Sequence, residues 1–339
     1  MPELLAQLCD FLERGVPLTA VSIVEQQGST PRTAGARMLV AATGIVAGTV
    51  GGGLVEARAL EAAAATLADG IPRFVDFDLS GEMAAGADMI CGGNLRLFVE
   101  PLPADEATLR LFADLRGALV RGIPCLIVTP ADDPSGRTLL QQGDVGSLPP
   151  ALADAVRNAS AAKLRAPAVL AVEGRTWVLS PWRCPSRLII AGGGHVSRPT
   201  AQIAALAHFA VTVLDDRPEF AAPERFPWAA LTDVTPDFAD CFAGRNVTPD
   251  TSLVIVTRGH MHDASVLAQA LRTDAGYIGM IGSRRKREAV YARMREQGFT
   301  DADLSRVHSP IGLSIGAETP EEIAVSIVAE LIAERAHRN

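Results

Sequence analysis

Apolar and polar positions along this chain change period several times, and the changes separate two halves. Residues 4–14 repeat apolar positions at helical spacing, and 19–24 form a short apolar run of the kind a buried strand carries. Residues 36–41 and 44–50 predict two strands joined across Thr43-Gly44. Residues 53–68, alanine-rich with Glu56 and Glu61, predict a helix stopped by Gly70 and Pro72. Strands follow over 73–79 and 95–100, then a helix over 104–121 and a buried strand over 125–129. Residues 131–146, rich in Asp, Gly and Gln, predict a surface loop or hairpin, and 168–172 with 176–180 a further strand pair. Two prolines in Ser180-Pro-Trp-Arg-Cys-Pro-Ser186 place a domain boundary between residues 184 and 185. Beyond it strands and helices alternate over 188–191, 196–208, 211–214, 253–257, 263–272, 277–281 and 284–297. A last helix starts at Pro320, after Thr319 as its cap, and runs to about Arg335. The fold class is therefore α/β, with a mixed α/β domain over 1–184 and a doubly wound parallel sheet over 185–339.

The start of the second half is its most specific part. In Arg187-Leu-Ile-Ile-Ala-Gly-Gly-Gly-His195 an aliphatic strand enters three glycines and then a helix. The next strand ends in Asp215-Asp216, about twenty residues on, as in a Rossmann dinucleotide-binding unit. Backbone N–H groups of Gly192, Gly193, Gly194 and His195 can approach a diphosphate at the helix N-terminus, and Asp215 would take a ribose diol. Ser197 replaces the usual third glycine, a small-residue variant. The motif specifies a ligand class, nucleotide or pterin dinucleotide, and no reaction.

Composition narrows the partners. Apolar residues make up 48% and charged residues 21% of the 339, ordinary for a globular protein. A formal net charge of −8 argues against nucleic acid or an anionic membrane as partner. No apolar run approaches the roughly twenty residues that span a bilayer. The acidic N-terminus does not read as a signal peptide. Five scattered cysteines without a C-x-x-C pair fit reduced thiols, so a cytoplasmic protein is expected.

Other glycine-rich loops carry candidate chemistry. Gly28-Ser-Thr-Pro-Arg32 reads as an anion grip by Arg32 or as a plain turn with a surface arginine. Gly48-Thr-Val-Gly-Gly-Gly-Leu-Val-Glu56 reads as an anion cradle around Gly52 and Gly53 or as a close-packed helix start. Met89-Ile-Cys91-Gly-Gly-Asn94 leaves a thiol open to a large ligand; Cys9, Cys125, Cys184 and Cys241 read as inert. In Thr257-Arg258-Gly259-His260-Met261-His262-Asp263, at a strand's C-terminal end, Arg258 and His260 are candidate ligand contacts. His260 and His262 lack a third metal ligand. Tyr277-Ile-Gly-Met-Ile-Gly282-Ser-Arg-Arg-Lys286 offers Ser283 and basic groups to a phosphate, with a solvated basic face as the bland alternative. Residues 308–318 form a long apolar, glycine-rich loop of a functional type.

These stretches together resemble the XdhC/CoxI family of maturation factors for molybdenum hydroxylases, and most of all its XdhC branch. The matching segments are GSTPR (28–32), GTVGGGLVE (48–56), MICGG (89–93), GGGHVS (192–197), DDRPEF (215–220), VTRGHMHD (256–263), YIGMIGSRRK (277–286) and the run 308–331. The resemblance implies a chaperone that binds molybdenum cofactor, either molybdopterin or its cytosine dinucleotide, with a further nucleotide in view. It holds the cofactor while a cysteine desulfurase supplies the sulfido ligand, then delivers it to the large subunit of xanthine dehydrogenase or a related hydroxylase. No turnover reaction of its own is implied. Cys91 would ligate molybdenum or relay sulfur, and the resemblance implies no metal contact beyond it. A cleft lined by these loops would shield the cofactor, and the alanine-rich helix offers a face for a homo-oligomer.

The rivals are an NAD(P)-dependent oxidoreductase and a nucleotide-binding sensor. The first finds no Tyr-x-x-x-Lys pair, the chain having two tyrosines, Tyr277 and Tyr291. The second predicts binding without any effect on a hydroxylase. A nucleotidyltransferase ranks last, since residues 1–25 lack a glycine-rich nucleotide loop.

Overall fold

The computed structural model describes residues 2–79, 92–141, 143–161, 164 and 166–338, in two units, Met1–Cys184 and Pro185–Asn339. The first unit holds two antiparallel sheets. The larger has the order β3-β2-β1-β5-β4, from β1 (Leu18–Gln27), β2 (Arg37–Ala41), β3 (Gly44–Gly48), β4 (Arg73–Asp78) and β5 (Asn94–Leu102). Its central strand β1 buries every residue from Leu18 to Val24, because both faces of the sheet are covered. The helix Gly53–Asp69 lays Val55, Ala59 and Ala63 against Val21, Ile23 and Leu97. On the other face Leu5, Leu8 and Leu12 of the helix Pro2–Glu13 meet Leu39, Phe112 and Trp182. Alanines at 59 and 63 bring helix and sheet close, so one face of the alanine-rich helix is spent inside its own unit.

The smaller sheet, β7-β6-β9-β8, is built from β6 (Cys125–Pro130), β7 (Thr138–Gln141), β8 (Ala168–Val172) and β9 (Arg175–Trp182). A helix over Pro150–Ala161, absent from the sequence expectations, packs Leu152 and Val156 against it. Its apolar stripe is two turns long, and Asn158 and Ser160 are weak helix formers, so tertiary packing decides it.

In the second unit all strands are parallel, in the order β12-β11-β10-β13-β14-β15. They are β10 (Arg187–Ala191), β11 (Ala210–Asp215), β12 (Leu231–Val234), β13 (Thr251–Ile255), β14 (Tyr277–Met280) and β15 (Val307–His308). Read from β10 outward this is the Rossmann order 3-2-1-4-5-6, with the switch point between β10 and β13. Both faces are covered, one centred on Leu253, Leu267 and Met280, the other on Ile190, Val213 and Ile327. Between β11 and β13 the chain makes 3₁₀ turns at Pro218–Phe220, Pro223–Arg225 and Pro236–Phe238 where a crossover helix is usual. Prolines at the head of each turn allow a start and oppose a long continuation. The helix Pro320–Arg338 opens with a reciprocal cap: the Glu322 amide donates to Thr319 Oγ1 at 3.2 Å and the Thr319 amide to Glu322 Oε2 at 3.1 Å. Among the described residues no helix is long and apolar enough to cross a membrane.

Candidate functional site

In the first unit, three motif loops meet at one end of the larger sheet. Strand β1 leaves through Gly28 and β5 enters through Gly93, and the two turns lie back to back. A Cβ on Gly93 would stand 2.4 Å from the Gln27 carbonyl oxygen and 2.7 Å from that of Ser29, so only glycine fits. The turn after β3 joins them through Pro31, whose Cβ is 2.9 Å from where a Cβ on Gly51 would lie; Arg32 Cγ is 3.9 Å from the same point. Within this turn the Thr49 hydroxyl donates to Glu56 Oε2 at 2.5 Å and accepts from the Gly51 amide at 3.1 Å. Gly52, at φ 76°, then caps the helix Gly53–Asp69 without any side-chain acceptor, and the space above its α-carbon is open. First-turn amides and the positive end of the helix dipole are thus presented beside exposed Arg32. Next to the Gly28–Gly93 contact a cavity of about 530 Å³ is lined by Glu25, Gln27, Asp76, Asp78, Asn94 and Arg96. Its acids outnumber its one arginine, so an anion belongs at the Gly52 end of the site. Cys91 lies outside the described residues.

In the second unit, the glycine turn after β10 sits against the loop after β13: a Cβ on Gly192 would be 2.4 Å from the Val256 carbonyl oxygen. Gly193 is covered by the segment after β11, with the Phe220 carbonyl oxygen 2.1 Å from any Cβ placed there. Arg225 Nε donates to the Gly193 carbonyl at 3.1 Å.

Asp215 is buried and its carboxylate is engaged within the turn. Its Oδ2 accepts the Gly193 amide at 2.7 Å, and its Oδ1 accepts both the Arg217 amide and Arg217 Nε at 3.0 Å. Arg217 itself lies over the Phe220 ring at 3.5 Å. Burial alone would raise the Asp215 pKa, but the bonds from Arg217 and Gly193 outweigh it and hold the carboxyl below the usual aspartate value. A carboxyl depressed in the folded state stabilises fully above its unfolded pKa, about 3.9, and loses that contribution as pH falls through the lower folded value. The deficit of Asp215→Asn in urea unfolding is therefore expected to be large at pH 7 and to shrink below pH 4. A deficit independent of pH would refute this account.

Asp216 pairs with Arg258, whose Nη2 lies 2.6 Å from Oδ2. His260 opens the helix His260–Ala270 behind the uncapped Gly259. The His262 ring packs at a tilt against Phe238, centroids 5.4 Å apart, and among the described residues no group of acids, histidines and cysteines could hold a metal ion. Ser283 caps the helix Arg284–Glu296, accepting the Lys286 amide at 3.3 Å, so its hydroxyl has a structural duty. The sequence expectations missed two clusters. Fully buried Asp263 accepts the Thr257 hydroxyl at 2.6 Å and pairs with Lys286. Glu330 accepts Tyr277 and the Gly312 amide and faces His308 Nδ1 at 3.4 Å. Lys286 and Tyr277 lie far in sequence from the acids they meet; the one hint was Lys286, one of two lysines against twenty-nine arginines. Burial pushes the thiols of Cys125 and Cys241 up to about 11, leaving them unreactive at neutral pH.

Two sequence-family descriptions match the chain. "XdhC and CoxI family" covers residues 11–78 and "XdhC Rossmann domain" residues 188–331. The chain belongs to the XdhC and CoxI family. Among family relatives, it is 28% identical to a probable xanthine dehydrogenase subunit of Bacillus subtilis strain 168, over 96% of this chain and 95% of that one. It is 23% identical to the molybdenum cofactor insertion chaperone PaoD of Escherichia coli K12, over 97% and 87% respectively. It is also 28% identical to the uncharacterized protein YqeB of Escherichia coli K12, matching 94% of this chain but spanning 44% of that longer protein. The crystal structure of a xanthine dehydrogenase from Bacillus halodurans superposes with a TM-score of 0.79 at 25% identity, covering 99% of this chain and 96% of the other.

Proposed function

We propose that this XdhC-family chain is a maturation factor of molybdenum hydroxylases, which holds molybdenum cofactor for sulfuration and passes it to the large subunit of its target enzyme. The observation that carries this reading is the meeting of Gly28–Arg32, Gly48–Gly53 and Gly92–Gly93 around an uncapped helix start. The residues fit the group. Amides at Gly52 and Gly53 with the Arg32 guanidinium suit the cofactor's phosphate, and the neighbouring carboxylates and amides suit the donor-rich edge of a pterin. When bound, the cofactor would supply the molybdenum centre that carries the hydroxylase's sulfido ligand, and a cysteine desulfurase is the partner proposed for its sulfur. Cys91, one residue before Gly92, is proposed as the thiol that contacts the metal or relays sulfur. A kinship to PaoD, named as an insertion chaperone, supports the role.

The test is to express the target hydroxylase with and without this chain and measure its cofactor content and sulfido occupancy. Normal cofactor with missing sulfur is expected without the chain; normal amounts of both would end the proposal. Cys91→Ala is expected to leave the hydroxylase largely desulfo, and full sulfuration would remove Cys91 from the role. Arg32→Ala should weaken cofactor retention by about tenfold, the scale of one charge-assisted hydrogen bond, as read by co-purified pterin.

A further inference from the structure

The C-terminal unit displays an apolar surface that its own core does not use. Among the described residues eleven large apolar side chains are exposed. Four of them, Leu313, Ile315, Val325 and Ile332, fall within residues 313–332, each between 41% and 53% exposed. Single exposed apolar residues are ordinary on a protein surface, whereas a group of them marks a contact. Val325, Ala329 and Ile332 recur at the i, i+4, i+7 spacing of one face of the helix Pro320–Arg338. Leu313 lies beside the first of them. Its amide donates to the Ser326 carbonyl at 3.2 Å, and the Ser326 hydroxyl donates to the Leu313 carbonyl at 2.6 Å. The loop is fastened on either side of its two exposed residues. Before them, the Gly312 amide donates to Glu330 Oε2 at 2.8 Å. After them, the Glu318 and Thr319 amides donate to Glu322 Oε2 at 2.8 and 3.1 Å. A fixed loop therefore holds Leu313 and Ile315 in water, which is unfavourable for the free chain. Acids border this surface. Glu318, Glu321 and Glu322 are exposed, and among the described residues none of the three forms an ion pair.

We propose that this surface docks the large subunit of the target hydroxylase, through an apolar ridge on that partner bordered by lysine or arginine. The stripe from Val325 to Ile332 runs about 10 Å along the helix, widened by Leu313 and Ile315, and supplies the apolar contact. Charge selects the occupant. A two-fold contact between copies of this chain, centred on Leu313 and Val325, would bring three acids from each copy together. Basic margins on a different partner neutralise them, and they also steer its approach. The partner's identity rests on the maturation reading; the surface goes beyond it. It belongs to a different unit from the loops assigned to the cofactor, so docking and cofactor retention are carried by separate residues.

The test is titration of the cofactor-free large subunit against the full chain, at low and at high salt. The native chain is expected to bind, with association slowing as salt rises. Leu313→Ser combined with Val325→Glu should weaken binding by about tenfold or more, the scale of two apolar side chains left uncovered. Glu318→Lys combined with Glu321→Lys should weaken it as well and remove most of the salt dependence. Leu231→Ser, at an exposed apolar position on β12, should leave it unchanged. Circular dichroism and co-purified pterin, both expected at native levels, show that each variant is folded and loaded. Native-strength binding by the Leu313 and Val325 double variant, no binding by the native chain, or affinity indifferent to salt overturns the proposal. So does a native dimer that this variant converts to monomer while it still binds the hydroxylase. A hydroxylase with normal cofactor and sulfido content in the absence of the chain ends the maturation reading, and this surface loses its partner with it. A hydroxylase that needs the chain, yet is served fully by the double variant, ends the docking surface alone.

Discussion

Alanine at position 193 is expected to cost the C-terminal unit about 3 kcal/mol or more, among the larger effects of a single added methyl group. The new Cβ would meet the Phe220 carbonyl oxygen at 2.1 Å and its carbon at 2.9 Å, both backbone atoms that cannot rotate aside. Phe220 ends a 3₁₀ turn whose Arg217 is fastened to Asp215, which is in turn fastened to the Gly193 amide. Moving Phe220 away therefore strains the bonds that close the glycine turn, including the one from Arg225. Hydrogen exchange followed by mass spectrometry, peptide by peptide in urea, reads the units separately. Protection should fall in β10 and β11 and stay unchanged in β1 and β5. Gly194→Ala is the control: open space surrounds that position, and its cost should stay below about 1 kcal/mol. Equal stability of the two variants would show that the covering segment moves freely.

On the proposed maturation role, Gly93→Ala should have the largest effect. Its Cβ would lie 2.4 Å from one backbone oxygen, 2.7 Å from another and 3.0 Å from the Gly28 carbonyl carbon. The turn after β1 and the turn before β5 must then part, and with them the grouping of Arg32, Gly52 and Gly93. A ligand held by groups on separate loops is sensitive to displacements of about 1 Å. Sulfido occupancy of the target hydroxylase is expected to fall on the order of tenfold or more, with C-terminal hydrogen exchange unaltered. Full occupancy would mean that the loops meet for packing alone.

The sequence foretold the C-terminal fold well because its signals are local. A strand, three glycines, a helix and an acid at the next strand's tip all lie within thirty residues, and the parallel order of β10, β11 and β13 follows from them. Residues 216–250 were opaque, since their prolines favour 3₁₀ turns and β12 is a short edge strand with Leu231 and Val234 exposed. At the sites, the motifs at 28–32, 48–56 and 92–93 were each visible, yet their contact was not, because Gly28 and Gly93 are brought together only by β1–β5 pairing. The bonds that Asp215 makes were hidden for a related reason. The motif places an acid at the strand tip, but Arg217 two residues on decides whether its carboxylate stays available. Asp263 with Lys286, and Glu330 with Tyr277, needed the completed sheet to bring them together.

The position of β1 at the centre of its sheet also has a kinetic consequence. Its register pairs Leu18 with Leu102, whereas β10 finds β11 with Arg187 opposite Ala210. During synthesis β1 emerges early and waits through the whole of 28–93 for its second neighbour, with seven consecutive apolar or small residues meant for burial. Late, non-local pairing of such a strand slows folding and leaves a sticky edge in the interval. Losses to inclusion bodies on rapid overexpression are therefore expected to originate in the N-terminal unit, and slower synthesis at lower temperature should recover soluble chain.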